Sequence, residues 1–240
     1  DMDTAKDVPP WKEQFADPKS AYWNVPLMRG EKIIERPADQ TTITERYTQE
    51  TIKHIRENRD RPFFIYLAHN LPHVPLFVSE PFEDVSRRGL YGDVIEEIDA
   101  STGRILDVLR EEGIAENTLV VFTSDNGPWH LYKVQGGSEG LLRDGKGSTW
   151  EGGMREPTVF WWPERIRPAV VMDIGSTLDL LPTIAALTGA KVPSDRTIDG
   201  VDLSGVLLRQ KPSPRNDMIY YFGDEVFAVR EGPYKAHYKT

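Results

Sequence analysis

The stretch TLVVFTSDNG, Thr118 to Gly127, runs from an unbroken apolar segment straight into a carboxylate, a carboxamide and a glycine. A short continuous apolar run bounded by turn residues is the mark of a strand covered on both faces. Two further runs have this form: FFIYLA (63–68), entered through Pro62, and TVFWW (158–162). Between and after them lie segments with helical period. Ile43, Tyr47, Ile52 and Ile55 follow Thr42-Ile-Thr-Glu45, which has the form of a capping box. Val94, Ile98, Ile105 and Leu109 share a face that ends at Gly113, and STLDLLPTIAALTG (176–189) carries Ser176 as N-cap and Gly189 as terminator. Helices alternating with buried strands predict an α/β layer fold with a mainly parallel sheet.

Outside this alternation the chain changes character. The first forty residues hold Pro9, Pro10, Pro18, Pro26 and Pro37 without a sustained period, and read as an irregular surface excursion. After the polar stretch RQKPSPRND (209–217), MIYYFG (218–223) and VFAVREGPYKAHYKT (226–240) read as antiparallel strands joined by glycine turns. Residues 1–208 are therefore expected in a large α/β domain and 209–240 at the start of a smaller β-rich one. The chain opens on Asp1 and stops within a strand pattern, so a partial chain is expected.

The bulk numbers narrow the function classes. With 240 residues, 39% hydrophobic and 28% charged, the chain can bury a sizeable core. A formal charge of −9 disfavours nucleic acid and anionic membranes as partners. No apolar run approaches the ~20 residues of a membrane span, and no targeting signal is visible. Cysteine is absent, which removes disulfides, thiolate metal sites and a cysteine nucleophile.

In open α/β sheets ligands bind outside the carboxyl ends of the strands. HNLPHVPL, with His69 and His73, follows the first strand; Asp125-Asn126-Gly127 follows the second; GLLRDGKGSTWEGGMREP, with Lys146, precedes the third. Each has a plain reading. Asp-Asn-Gly is turn chemistry, His73 between Pro72 and Pro75 can be a packed imidazole, and a lone loop lysine is commonly solvated. Arg143, Glu151 and Arg155 read as a salt-bridged frame for the loop. The chemical reading is more specific. Asp125 and Asn126 offer two hard oxygen donors, suited to calcium or magnesium. Lys146 between Gly145 and Gly147 offers an ammonium where the backbone can approach an anion closely.

RPFFIYLAHNLPHVPL, VVFTSDNG, GLLRDGKGSTWEGGMREP and STLDLLPT, in this order, together resemble segments of the sulfatase family. VFAVREGPYKAHY is similar to the strand pair that opens the small C-terminal domain of arylsulfatase A-like and galactosamine-6-sulfatase-like members. The resemblance covers roughly residues 40–240, and GKGSTWEGGMREP is its most specific piece. It implies an alkaline-phosphatase-like fold, with a large mixed sheet flanked by helices and a small antiparallel sheet. It implies a sulfuric ester hydrolase with one calcium ion (magnesium is an alternative). Asp125 and Asn126 match metal ligands; Lys146 and His73 match catalytic, substrate-binding residues at the sulfate and the leaving oxygen. His69 matches no ligand and is assigned a structural role.

The family nucleophile, a formylglycine made from the Cys or Ser of a C/S-x-P-x-R segment, finds no counterpart here. KPSPRN (211–216) has the wrong order and place. The chain is therefore expected to be the C-terminal part of a sulfatase, inactive alone. The expected partner is a sulfated small molecule or carbohydrate, and the expected compartment periplasmic, extracellular or lysosomal. Trp11, Trp23 and Trp129 could stack on a sugar or simply pack. A phosphomonoesterase or phosphodiesterase of the same superfamily, or a sulfatase-like protein that binds sulfated glycans without cleaving them, are the rival readings.

Overall fold

Helix formation in this chain is decided by tertiary burial of one face and by explicit end signals. A computed structural model describes residues 9–239. In chain order the elements are α1 (Trp11–Ala16), β1 (Leu27–Arg29), β2 (Lys32–Glu35), α2 (Ile43–Asn58), α3 (Gly89–Glu111), β3 (Val120–Thr123), α4 (Glu151–Met154), β4 (Thr158–Trp161), α5 (Leu180–Thr188), α6 (Ser204–Arg209), β5 (Asp217–Phe222), β6 (Glu225–Glu231) and β7 (Tyr234–His237). They fall into two compact units, 1–115 with 129–138, and 116–128 with 139–240. Among the described residues no helix is long and apolar enough to cross a membrane.

In the first unit α2 packs on α3. Ile43 and Ile55 of α2, with Val94, Ile98 and Leu109 of α3, are buried as the 3.6 period predicts. The polar Thr48 and Ser101 are buried with them because their hydroxyls bond each other, at 2.5 Å. Gly113 terminates α3 in the left-handed region at φ 69°, with its N–H on the Arg110 carbonyl. The capping box expected at Thr42 does not form. A 3-10 turn at Gln40–Thr42 precedes the helix instead, and the Asp39 carboxylate accepts from the Thr41 N–H. Residues 9–40 are less irregular than expected. β1 and β2 make a hairpin through Gly30 at φ 58°.

The strand run 63–68 departs from expectation. It forms no strand and pairs with none among the described residues, and Phe64 and Tyr66 are 72% and 83% exposed. Alternate side chains lie open because a strand buries both faces only where neighbours cover it. The core that does form lies just downstream: Leu71, Val74 and Leu76 close on Val94 and Ile98.

In the second unit β3 and β4 pair antiparallel, Val120 opposite Trp161 through Thr123 opposite Thr158. The sheet expected as mainly parallel is thus antiparallel in every strand pair among the described residues. Residues 124–157 return the chain antiparallel through loops, a 3-10 segment and the short helix α4, with no long crossover helix of the kind that usually joins parallel neighbours. α5 begins as the sequence predicts. The Ser176 hydroxyl accepts from the Leu178 N–H, the Asp179 carboxylate accepts from the Ser176 N–H in return, and Gly189 ends the helix at φ 74°. β5, β6 and β7 form an antiparallel meander turning at Gly223 and Gly232, both left-handed.

Candidate active site

Asp125, Asn126 and Gly127 leave the end of β3, and the loop 143–153 enters β4 through the short helix α4. Backbone bonds bring these two segments together. The Gly127 N–H donates to the Gly153 carbonyl at 3.2 Å, and the Lys146 N–H donates to the Pro128 carbonyl at 2.8 Å. Glycine is required at this contact for steric reasons. A Cβ on Gly127 would stand 1.8 Å from the Gly152 carbonyl oxygen, and one on Gly152 would stand 1.9 Å from that of Asp144. The tripeptide is therefore more than a free turn, because its glycine is the floor on which the lysine loop rests.

Within that loop Lys146 is half-buried and sits between two residues in the left-handed region, Asp144 at φ 64° and Gly147 at φ 90°. The Asp144 carboxylate accepts from the Gly145 N–H at 2.9 Å, and the Gly152 N–H donates to the Arg143 carbonyl at 2.8 Å. A non-glycine residue in the left-handed region is uncommon and clusters at functional sites.

Glu156, which sequence reasoning passed over, stands opposite Asp125 if the β3–β4 register is extended two residues past Thr123 and Thr158. Its Oε1 is buried with no hydrogen-bond partner among the described residues. Burial, with the nearby Asp125 charge, pushes its carboxyl up from the ordinary range. A buried carboxylate oxygen without a partner, near the Asp125 charge, is a further oxygen donor that a cation at the end of β3 could use. The donors Asp125 and Asn126 are hard oxygens, suited to calcium or magnesium. Among the described residues no group of three or more His, Asp or Glu forms a cation cage by itself.

The salt-bridged frame expected of Arg143, Glu151 and Arg155 forms around Glu151, while Arg143 rests on an aromatic ring instead of the acid. Glu151 pairs with Arg230 of β6 at 3.0 Å and Lys235 of β7 at 2.9 Å, and more loosely with Arg155 at 3.9 Å. Arg143 lies 3.6 Å from the Trp150 ring centroid. Burial opposes the Glu151 charge, but the Lys235 hydrogen bond and the three cations hold its carboxyl below the usual range. Arg230 and Lys235 fall directly opposite each other on neighbouring strands, and facing like charges are unfavourable unless an acid lies between them.

His73 belongs to the first unit. Its ring Nδ1 lies 2.7 Å from the Val74 carbonyl, an oxygen that can only accept. Nδ1 therefore carries the proton, and Nε2 is left as the ring's second polar atom. The ring packs on Trp129 at 5.6 Å between centroids, and Trp129 continues through Tyr132 and Phe15 to the buried Trp23. Trp23 and Trp129 are thus packing residues, and the side chain of Trp11 lies outside what the structure describes. His69 is half-buried, and burial pushes its pKa down.

Comparisons with known proteins place the chain in a family. The family model for sulfatases matches residues 1–190. Human arylsulfatase A (Homo sapiens) is 48% identical over 189 residues, covering 77% of this chain and 37% of its own length. Canine N-acetylgalactosamine-6-sulfatase (Canis lupus familiaris) is 42% identical over 231 residues, covering 90% of this chain and 44% of its own. Among solved structures, Ps i-CgsB in complex with k-i-k-neocarrahexaose superposes with a TM-score of 0.77 at 29% identity, covering 97% of this chain and 53% of that one. The fold class is α/β and alkaline-phosphatase-like, as the sequence indicated. The chain belongs to the sulfatase family. It spans less than half the length of the two curated relatives named.

Proposed function

We propose that this chain is part of a sulfuric ester hydrolase whose centre uses Asp125 and Asn126 as cation ligands, Lys146 as the sulfate-binding cation and His73 at the leaving oxygen. The observation that carries this reading is the pair of backbone bonds, Gly127 to Gly153 and Lys146 to Pro128, which fixes the lysine loop against the Asp-Asn-Gly tripeptide. Membership of the sulfatase family and the hard-oxygen donor pair support it.

In this reading the Asp125 carboxylate and the Asn126 amide oxygen hold one calcium ion, with magnesium as the alternative, and further donors come from sequence outside residues 1–240. The ion supplies Lewis acidity and charge neutralisation at the sulfate. A formylglycine, also from outside these residues, is the nucleophile, so residues 1–240 alone do not turn over. Lys146 binds the anion and offsets the negative charge that builds as the ester bond breaks. His73 binds the departing oxygen through Nε2 or returns a proton to it, a role worth roughly 10²- to 10⁴-fold. The substrate is a sulfated carbohydrate or small molecule, and the compartment is lysosomal, periplasmic or extracellular.

The test is turnover of an aryl sulfate by the natural full-length polypeptide with calcium, alongside chain 1–240 alone. The expected result is turnover by the former and background release by the latter. Lys146→Ala is expected to lower kcat by roughly 10²- to 10³-fold, as for loss of one charge-stabilising donor. Enzyme-level release by residues 1–240 alone, or stoichiometric zinc with phosphate-ester turnover in the full-length protein, contradicts the reading.

A further inference from the structure

Three consecutive residues of the lysine loop, Thr149, Trp150 and Glu151, are each gripped by the C-terminal meander. The Lys235 ammonium donates to the Thr149 carbonyl and to a Glu151 carboxylate oxygen, and it lies 3.6 Å from the ring centroid of Tyr220 on β5. Arg230 donates to the other Glu151 oxygen at 3.0 Å. The His237 ring stacks on Trp150, with centroids 3.7 Å apart and planes 20° from parallel. The Lys235 side chain is only 10% exposed, so its charge has left most of its water and depends on these partners. A loop needing only to be anchored could be held by apolar packing. Here a carboxylate at the first position of α4 is instead fixed by two converging donors, which sets both its place and its orientation.

We infer that Lys235 and Arg230 are positioning residues for Lys146, acting through Glu151 to hold the 143–153 loop closed, with Asp144 and Gly147 in the left-handed region. The inference rests on the role given to Lys146 above. It makes the small C-terminal sheet part of the sulfate-binding machinery, since that sheet determines where the ammonium stands. The chain of contacts is short: Glu151 heads the helix whose glycines Gly152 and Gly153 bond to Arg143 and Gly127, and Lys146 lies inside the loop so closed.

The experiment compares Lys235→Met, Glu151→Gln and Lys235→Arg with the unaltered full-length polypeptide, measuring aryl sulfate kinetics and backbone hydrogen exchange together. For Lys235→Met and Glu151→Gln, faster exchange is expected at the Lys146 and Gly152 amides with α5 unchanged. A fall in kcat/KM of up to about 10²-fold, the cost of a small misplacement, should accompany it. Lys235→Arg keeps the charge and should recover most of both. Wild-type kinetics with unaltered Lys146 protection would overturn the inference. So would activity lost only in step with protection across α5, which marks a general stability role. If the unaltered polypeptide cleaves no sulfate ester, the proposed function fails, while the exchange arm still decides whether the clamp controls the loop.

Discussion

His73 and Lys146, the two groups assigned to the sulfate, are held by opposite means. His73 lies in a segment fixed by apolar burial: Leu71, Val74 and Leu76 close on α3, and the ring itself rests on an aromatic chain beginning at Trp129. Lys146 lies in a loop anchored at Trp150 by the His237 stack and fixed chiefly by glycine-to-carbonyl contacts, backbone hydrogen bonds and the Glu151 ion cluster. Apolar burial is non-directional and carries no charge to titrate, whereas a cluster of half-buried charges is directional and responds to pH. An ammonium that must meet an anion gains from the second kind of support, because its position is then set by groups that themselves need exact partners.

The comparison can be broken most forcefully at Asp179 in the second unit. Its buried carboxylate accepts from Arg215, from the Ser176 N–H and from the Val201 N–H, with side chains 0% and 8% exposed for Asp179 and Arg215. Asp179→Ala leaves that guanidinium without its carboxylate, though still on the Asp199 carbonyl, and a loss of about 3–5 kcal/mol is expected in denaturant unfolding of the natural polypeptide. The matching cut in the first unit is Leu76→Ala, at a side chain with no exposed surface. It should cost about 2–5 kcal/mol and leave the pH dependence of stability as it was. Gly127→Ala comes next, at about 1–3 kcal/mol from overpacking. Its more informative effect is loss of Lys146 amide protection, because the new methyl displaces the Gly152 carbonyl.

Acid sharpens the contrast further. In the folded chain Asp179 is held below the usual carboxylate range: burial opposes its charge, but the Arg215 hydrogen bonds and the backbone donors outweigh that. Glu151 is held low in the same way by Lys235, Arg230 and Arg155. A carboxyl depressed in the folded state stabilises fully above its unfolded value, about 4, and this contribution disappears as pH falls through the folded value. Unfolding midpoints should therefore drop below about pH 4, and less steeply in Glu151→Gln. At the small end, the Arg104–Glu45 pair between α2 and α3 is 47% and 40% exposed. Its removal should change stability by less than about 1 kcal/mol.

What was legible in the sequence was local. Gly113, Gly189 and the Ser176–Asp179 box act within a few residues, and each ends or starts a helix as read. Asp125, Asn126 and Lys146 could be singled out because glycines beside chemistry-bearing residues mark a constrained loop. Pairing was not legible. An apolar run such as 63–68 states that a strand can be buried, not which neighbour covers it, and the run is unpaired here. The Thr42 box lost to Asp39, a competing acceptor three residues earlier. The Glu151 clamp joins positions 79 and 84 residues apart, a contact no local pattern encodes.

The most direct test is a crystal structure of the natural full-length polypeptide with calcium and a sulfate ester bound. The account predicts the Asp125 and Asn126 side-chain oxygens on the cation. It also predicts the Lys146 ammonium and His73 Nε2 within hydrogen-bonding distance of the sulfate group. A cation ligated elsewhere, or a sulfate ester bound with Lys146 or His73 turned to another face of the molecule, would contradict it.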